Sequence, residues 1–281
     1  MERFTREQSQ WVQWMRLTLL CFVIVLSIVL AVTTQPANKS ITDLSWPNCG
    51  SRYLQTYTAG IVGVTGGLDF RINPCASSEA HMLIAYALYA NTGYPGYVYG
   101  RKFANYPKHC TQKDYVCFAY NYGYAAGLFA IRAAAKSGVV SRLWFLDVET
   151  ENSWTYHPAV NRAELSGEMA AISQYTFLFS GFGIYSTSHQ WQIITGGWKN
   201  MLPEWLGTGS FDQRVATKAC RDVSFTGGRI WLSQYTAKLD INVTCNLAAA
   251  TYFPTSFSTF GLWSFPDVRF ENGAAFYSVL H

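Results

Sequence analysis

Short apolar runs alternate with longer helical stretches through the middle of this chain. The start of ITDLSWPNCG (41–50) is the first strand candidate. GIVGVTGG (60–67) is a Val/Ile-rich run closed by two glycines, which predicts a buried strand. SSEAHMLIAYALYAN (77–91) sets Ser before an apolar face and predicts a helix passing into a strand near Leu88. YGYAAGLFAIRAAAKSG (122–138) is Ala-rich, apolar at helical spacing and stopped by Gly138, which predicts a helix. RLWFLDVE (142–149) predicts a strand. NRAELSGEMAAISQYTFLFSG (161–181) predicts a helix with Asn161 as its cap and Glu164 three residues on. FGIYST (182–187), GRIWLSQYT (228–236) and LDINVTC (239–245) complete the strands.

Alternating strands and helices imply an α/β fold with a parallel sheet. Beyond Trp191 the helix signals fade and strands follow one another. A TIM-like (β/α) barrel with a degenerate second half fits this order; an open doubly wound sheet is the alternative. No G-x-G-x-x-G opens a helix, so nothing indicates a dinucleotide site. The stretch 94–120, rich in Tyr, Gly and Lys, reads as a rim loop. Residues 33–40 (TTQPANKS) read as a linker, and the aromatic tail 247–281 carries no clear period.

The N-terminus adds a location. Leu17–Val32 is free of charge, with Arg3, Arg6 and Arg16 before it and Pro36, Asn38 and Lys39 after it. This predicts a hydrophobic helix that is either a secretory signal or an uncleaved membrane anchor. Either way the rest of the chain lies outside the cytoplasm. The expected division is 1–36 as signal or anchor, 37–246 as barrel and 247–281 as an extension. Cys21 lies inside the apolar segment, leaving Cys49, Cys75, Cys110, Cys117, Cys220 and Cys245. An even number in an exported chain reads as disulfides. The sequential pairing 49–75, 110–117 and 220–245 brackets one local unit per pair. Closing a loop like 220–245 contributes roughly 3–4 kcal/mol in the chain-entropy model. The spacings fit no zinc pattern.

Composition excludes disorder: of 281 residues, 49% are hydrophobic and 14% charged. The formal net charge of +4 is too small to indicate nucleic acid.

The chemistry sits at strand ends. WFLDVETENSW (144–154) closes an apolar strand with Asp147 and Glu149, two apart and so on one face. In a parallel barrel the C-terminal strand ends hold the active site. Arg142 and Arg229 lie at the opposite, N-terminal ends of their strands, which argues against ion pairs as the reason for these acids. Asp43 lies on the first strand and Asp240 on the last, and those two strands are neighbours in a closed barrel. Four carboxylates from three strands then converge and raise one another's pKa. A protonated acid beside an ionised one is what glycosidic cleavage needs. Trp46, Trp154, Tyr185 and Tyr235 flank these motifs and are candidates to stack on sugar rings, as are Trp191 and Trp231. Asp69, Asp114 and Glu151 read as solvated. No G-x-S-x-G supports a serine nucleophile.

DLSWPNCG, GIVGVTGG, WFLDVETENSW, GIYSTSHQWQ and QYT followed by LDIN resemble, in order, strand motifs of the family-25 glycoside hydrolases, the lysozyme-like muramidases, from about Asp43 to Cys245. The chain is more similar to a secreted, cysteine-containing branch of that superfamily. The resemblance implies a (β/α)5β3 barrel that cleaves the β-1,4 bond between N-acetylmuramic acid and N-acetylglucosamine. It implies Glu149 as proton donor, with Asp43, Asp147 and Asp240 beside it, and no metal or organic cofactor. The expected partner is peptidoglycan or a related polysaccharide, with the membrane a second one if the N-terminal segment is uncleaved. YANTGYPG stands where that family carries a histidine-aromatic segment, and the 94–120 insertion and cysteines also depart from it. A catalytically silent glycan-binding protein on the same barrel is the other expectation.

Overall fold

The computed structural model describes residues 41–50, 59–176, 181–245, 268–271 and 274–277. The N-terminal hydrophobic segment, expected above to be a signal or anchor, lies outside them.

Eight strands hydrogen-bond in chain order and close into a barrel: β1 (Ile41–Leu44), β2 (Ala59–Gly63), β3 (Ala85–Asn91), β4 (Leu143–Asp147), β5 (Gly181–Ser186), β6 (Glu204–Gly207), β7 (Ile230–Thr236) and β8 (Asp240–Thr244). Neighbours from β1 to β7 are parallel. β8 runs antiparallel to both β7 and β1 and closes the ring. The expected TIM-like barrel is present and the open doubly wound sheet is excluded.

Helices α1 (Ala76–His81), α2 (Tyr97–Gly100), α3 (Tyr115–Lys136), α4 (Pro158–Thr176), α5 (Ser188–Thr195) and α6 (Gln213–Ala219) connect the strands. The second half is less degenerate than the sequence suggests, because β6 and α6 both escape its pattern. β6 is four residues with a buried Glu204 at its start, so it carries no apolar alternation. Glu204 Oε1 instead accepts from the Thr226 hydroxyl at 2.8 Å. α3 begins seven residues earlier than the Ala-rich run, where Asp114 caps it by accepting from the Cys117 N–H at 3.0 Å. The tail forms a two-stranded antiparallel ribbon, β9 (Val268–Glu271) with β10 (Ala274–Tyr277).

Strand alternation divides the wall into two cores. Ile41, Ile61, Ala87, Tyr89, Leu143, Phe145, Trp205 and Leu232 pack together inside the barrel. Leu44, Val62, Leu88, Trp144, Leu146 and Ile184 pack outward with Ala130, Ala134, Leu165 and Ile172 of the helices. Both faces being buried is why β4 reads as an unbroken apolar run. The interior is crowded with rings: Trp205 stands 5.4 Å from Phe145 and 4.4 Å from Tyr185, centroid to centroid. Gly183 makes room for them, since a Cβ there would lie 2.5 Å from the Phe145 ring. The three disulfides pair sequentially, as the local bracketing suggests: Cys49–Cys75, Cys110–Cys117 and Cys220–Cys245.

α3 and α4 pack with almost no gap. A Cβ at Gly167 would sit 1.9 Å from the Tyr120 carbonyl oxygen, so alanine there forces the helices apart. Asn161 does not cap α4, which begins at Pro158; its amide instead donates to the Thr155 and Ile194 carbonyls, both at 2.9 Å. Glu164 is therefore free of a capping box. It lies fully buried with Glu168, one turn on, and their four oxygens meet no well-formed hydrogen bond among the described residues. Asp69, expected to be solvated, lies near both and accepts from the Tyr122 hydroxyl at 3.1 Å.

Burial above all holds the carboxyls of Glu164 and Glu168 protonated well above the usual range, with Glu168 and then Asp69 adding to the push on Glu164 and Asp69 adding to that on Glu168, and burial pushes Asp69 up to about 7. The folded state thus keeps protons that the unfolded chain releases. Stability is highest below the ordinary carboxylate pKa and falls as pH climbs through 7. Glu168→Gln should flatten this decline: in thermal unfolding followed by circular dichroism, the drop in Tm between pH 5 and pH 8 becomes smaller than in the parent.

Candidate active site

The barrel geometry gathers four acids from three segments at one end. Asp43 lies on β1 and Asp147 ends β4, both buried and both facing the interior core. Asp240 opens β8. Because β8 runs backwards, its first residue lies at the same end as the last residues of the parallel strands. β1 and β8 pair Ile41 with Asn242 and Thr42 with Ile241, so continuing that register sets Asp240 beside Asp43. Glu149 lies two residues past β4 and is half-buried. Its stretch is held in line by β5: the Val148 N–H donates to the Tyr185 carbonyl at 2.9 Å, and the Ser186 hydroxyl donates to the Val148 carbonyl at 2.7 Å.

These acids sense one another. Asp43 is pushed up to about 8 by burial first and then by Asp240, with Glu149 adding a smaller push. Asp147 is raised well above the usual range by burial, then by Glu149. Glu149 is raised by burial, then by Glu151 and Asp240, while a contact with the Tyr185 hydroxyl pulls it down. The neighbouring charges acting on these three carboxyls are all carboxylates. Asp147 and Glu149 repel one another, and Glu151, from an exposed position, adds to the push on Glu149. Glu151 accepts from the Gln190 side-chain amide at 2.9 Å. Tyr185 is the common neighbour: burial, then the charges of Glu149, Asp147, Asp43 and Asp240, suppress its ionisation.

Two amides escape a reading based on charge. Asn91, at the end of β3, donates from Nδ2 to Asp147 Oδ2 at 2.5 Å. Its Oδ1 accepts from the Thr65 hydroxyl and the Gly67 N–H, both at 2.9 Å, which fixes the amide orientation. Gln234 on β7 donates from Nε2 to Asp43 Oδ2, and its Oε1 accepts from the Tyr185 hydroxyl at 2.7 Å. Gln234 lies in the QYT motif, but nothing in the sequence separates it from its neighbours. Thr236 donates its hydroxyl to Asp240 Oδ1 at 2.7 Å.

The four candidate aromatics part company. Tyr185 lies among the acids. Trp46 follows β1 and is 43% exposed, with the Arg71 guanidinium 5.4 Å from its ring centroid. Trp154 donates its indole N–H to the Glu149 carbonyl at 2.8 Å, so it shapes the turn that carries Glu149. Tyr235 packs with the outer core, one residue out of phase with Gln234. Trp191 is buried, stacked on Trp198, and Trp231 packs against the interior core.

No family model and no curated protein matches the chain. Among solved structures it is similar to the bacterial lysozyme from Streptomyces coelicolor, at 16% identity and a TM-score of 0.49 over 77% of this chain and 96% of that one. It is also similar to GHIP, a glycosyl hydrolase 25 of Streptococcus pneumoniae described as a virulence factor participating in host cell invasion, at 18% identity and a TM-score of 0.45 over 73% and 86% of the two chains. The modular autolysin LytC of Streptococcus pneumoniae matches at 12% identity and a TM-score of 0.43, over 75% of this chain but 47% of its own.

Gln234 stabilises the charged form of Asp43, so Gln234→Leu should raise the Asp43 midpoint further above 8, by roughly one pH unit for a lost bond to a charged group. Carbon-detected NMR titration of the aspartate carboxyls reads this directly.

Proposed function

We propose that the chain is an exported glycoside hydrolase acting on peptidoglycan or a related polysaccharide, with Glu149 as general acid. The observation that carries this reading is the convergence of Asp43, Asp147, Glu149 and Asp240 around Tyr185. Like charges crowded in a half-buried mouth resist joint ionisation, so the cluster holds protons near neutral pH. Half-buried Glu149, two residues beyond the strand, is the member best placed to give its proton to a glycosidic oxygen. The motif resemblance names the same residue.

Asp43 and Asp240 stand side by side, and one or the other stabilises the oxocarbenium-like state or places a water or the substrate's acetamido group at the anomeric carbon. Charge on Asp43 is costly in the free protein, as its midpoint near 8 reflects. A cationic, oxocarbenium-like centre removes that cost, so the attraction is stronger in the transition state than in the ground state. Asp147, oriented by Asn91 and buried, feels the charges of Glu149 and then Asp43. No step calls for a metal or an organic cofactor. Three disulfides fit an oxidising compartment outside the cytoplasm. Residues 1–36 would carry export or anchoring.

The test is release of reducing ends from purified peptidoglycan by the full chain. The parent should release them, with the rate falling as pH rises and Glu149 loses its proton. Glu149→Gln should cut the rate by about 10²-fold or more while keeping glycan binding. Binding by the parent without release across pH 4–8 would replace this reading with that of a catalytically silent glycan-binding barrel.

A further inference from the structure

A second concavity lies on the outside of the barrel and contains none of the four acids. It is an open cavity of about 710 Å³ where the 108–120 segment meets α4, within the size range of small-molecule sites. Its base is made of small residues on one face of α4, including Ala159, Ala163 and Ser166. Tyr120 and Trp198 contribute aromatic walls. Lys108, His109 and Arg162 supply nitrogen donors, against a single acid, Asp114. That acid is committed, since its carboxylate caps α3.

The donors are positioned. Lys108 Nζ lies 3.3 Å from the centroid of the Tyr120 ring, which holds the ammonium at the cavity edge. Arg162 is anchored by one bond, Nη1 donating to the Thr195 carbonyl at 2.8 Å, out of the five N–H donors of a guanidinium. The positive character continues along the surface. Residues 101–113 carry exposed Arg101, Lys102, Lys108 and Lys113 and no acid, and Lys102 lies 5.3 Å from the exposed Tyr99 ring. Cys110–Cys117 ties this strip to the first turn of α3.

Cations that reach a carboxylate or phosphate, beside the aromatic side chains of Tyr120 and Trp198, define one ligand chemistry. The geometry points to a second glycan site, separate from the barrel mouth, that grips an anionic saccharide through Lys108, His109 and Arg162. A strip of like charge leading to it suits a polymer better than a single sugar. This site holds an acidic polysaccharide against the protein whether or not the mouth cleaves it, so it stands apart from the hydrolase reading.

The experiment titrates the full chain with tetragalacturonate, with a polymer of sugar phosphates, and with uncharged chitotetraose. Calorimetry measures affinity, and ¹⁵N-resolved NMR locates binding at the Trp198 indole. At least one anionic ligand should shift the Trp198 signal and bind tenfold or more tighter than chitotetraose does at that position; which of them does so tells carboxylate from phosphate. Raising salt from 50 to 500 mM should weaken it. Lys108→Glu and His109→Glu change exposed side chains and should each weaken it tenfold or more, leaving reducing-end release from short neutral chains unchanged. The proposal is overturned by equal affinity for neutral and anionic sugars at Trp198, by unchanged affinity in both variants, by no shift at Trp198 with any ligand, or by tighter capture of an oligonucleotide of equal charge.

Discussion

β8 enters the sheet between β7 and β1 and runs against both, and the character of the mouth depends on that reversal. A barrel of parallel strands brings only strand C-termini to its upper rim. An antiparallel closing strand brings an N-terminus there instead, and here that residue is Asp240. Register does the rest: pairing of Ile41 with Asn242 sets Asp240 against Asp43. Two carboxyls from opposite ends of the chain thus share one low-dielectric space, and Asp147 and Glu149 join them from across the barrel.

Such crowding has to be supported, and the interior does so in layers. Beneath the acids lies a plug of rings centred on Trp205, with Tyr89, Phe145 and Tyr185 around it. The plug keeps water from screening the carboxyls from below. Two neutral amides then aim N–H donors at one oxygen of each buried aspartate: Asn91 at Asp147 and Gln234 at Asp43. The amides favour the charged forms and so offset part of the upward push of burial on both carboxyls. Tyr185 spans the layers, with its ring on Trp205 and its hydroxyl on Gln234.

The protein carries a second acidic group, and its surroundings differ. Glu164 and Glu168 are fully buried where α3 packs on α4, and half-buried Asp69, near both, accepts from the Tyr122 hydroxyl. The two helices approach closely at Gly167, and Glu164 and Glu168 have no exposed surface. The first group opens to solvent at Glu149 and Asp240, whereas the second is closed at Glu164 and Glu168 and bears on stability. On the outer surface the charge reverses, and the 101–113 strip presents positive groups where a negatively charged polymer can meet them.

Local pattern alone determined much of this protein. Continuous Val- and Leu-rich runs marked β2 and β4 because both faces of those strands are buried, and alternation along WFLDVE put Asp147 and Glu149 on one face. Sequential cysteine pairing followed from short loops. Tertiary structure alone decided the remainder. β6 has too few apolar residues to announce itself, and its Glu204 finds partners for one oxygen only in a loop about twenty residues away. The i, i+4 spacing of Glu164 and Glu168 is that of a solvated helical stripe, and only the packing of α3 shows it buried. Gln234 and Tyr235 are adjacent and equally suited to a sugar site; the pleat of β7 turned the first inward and the second to the outer core. Spacing along a chain specifies which side chains share a face, but which face meets water depends on partners far away in sequence.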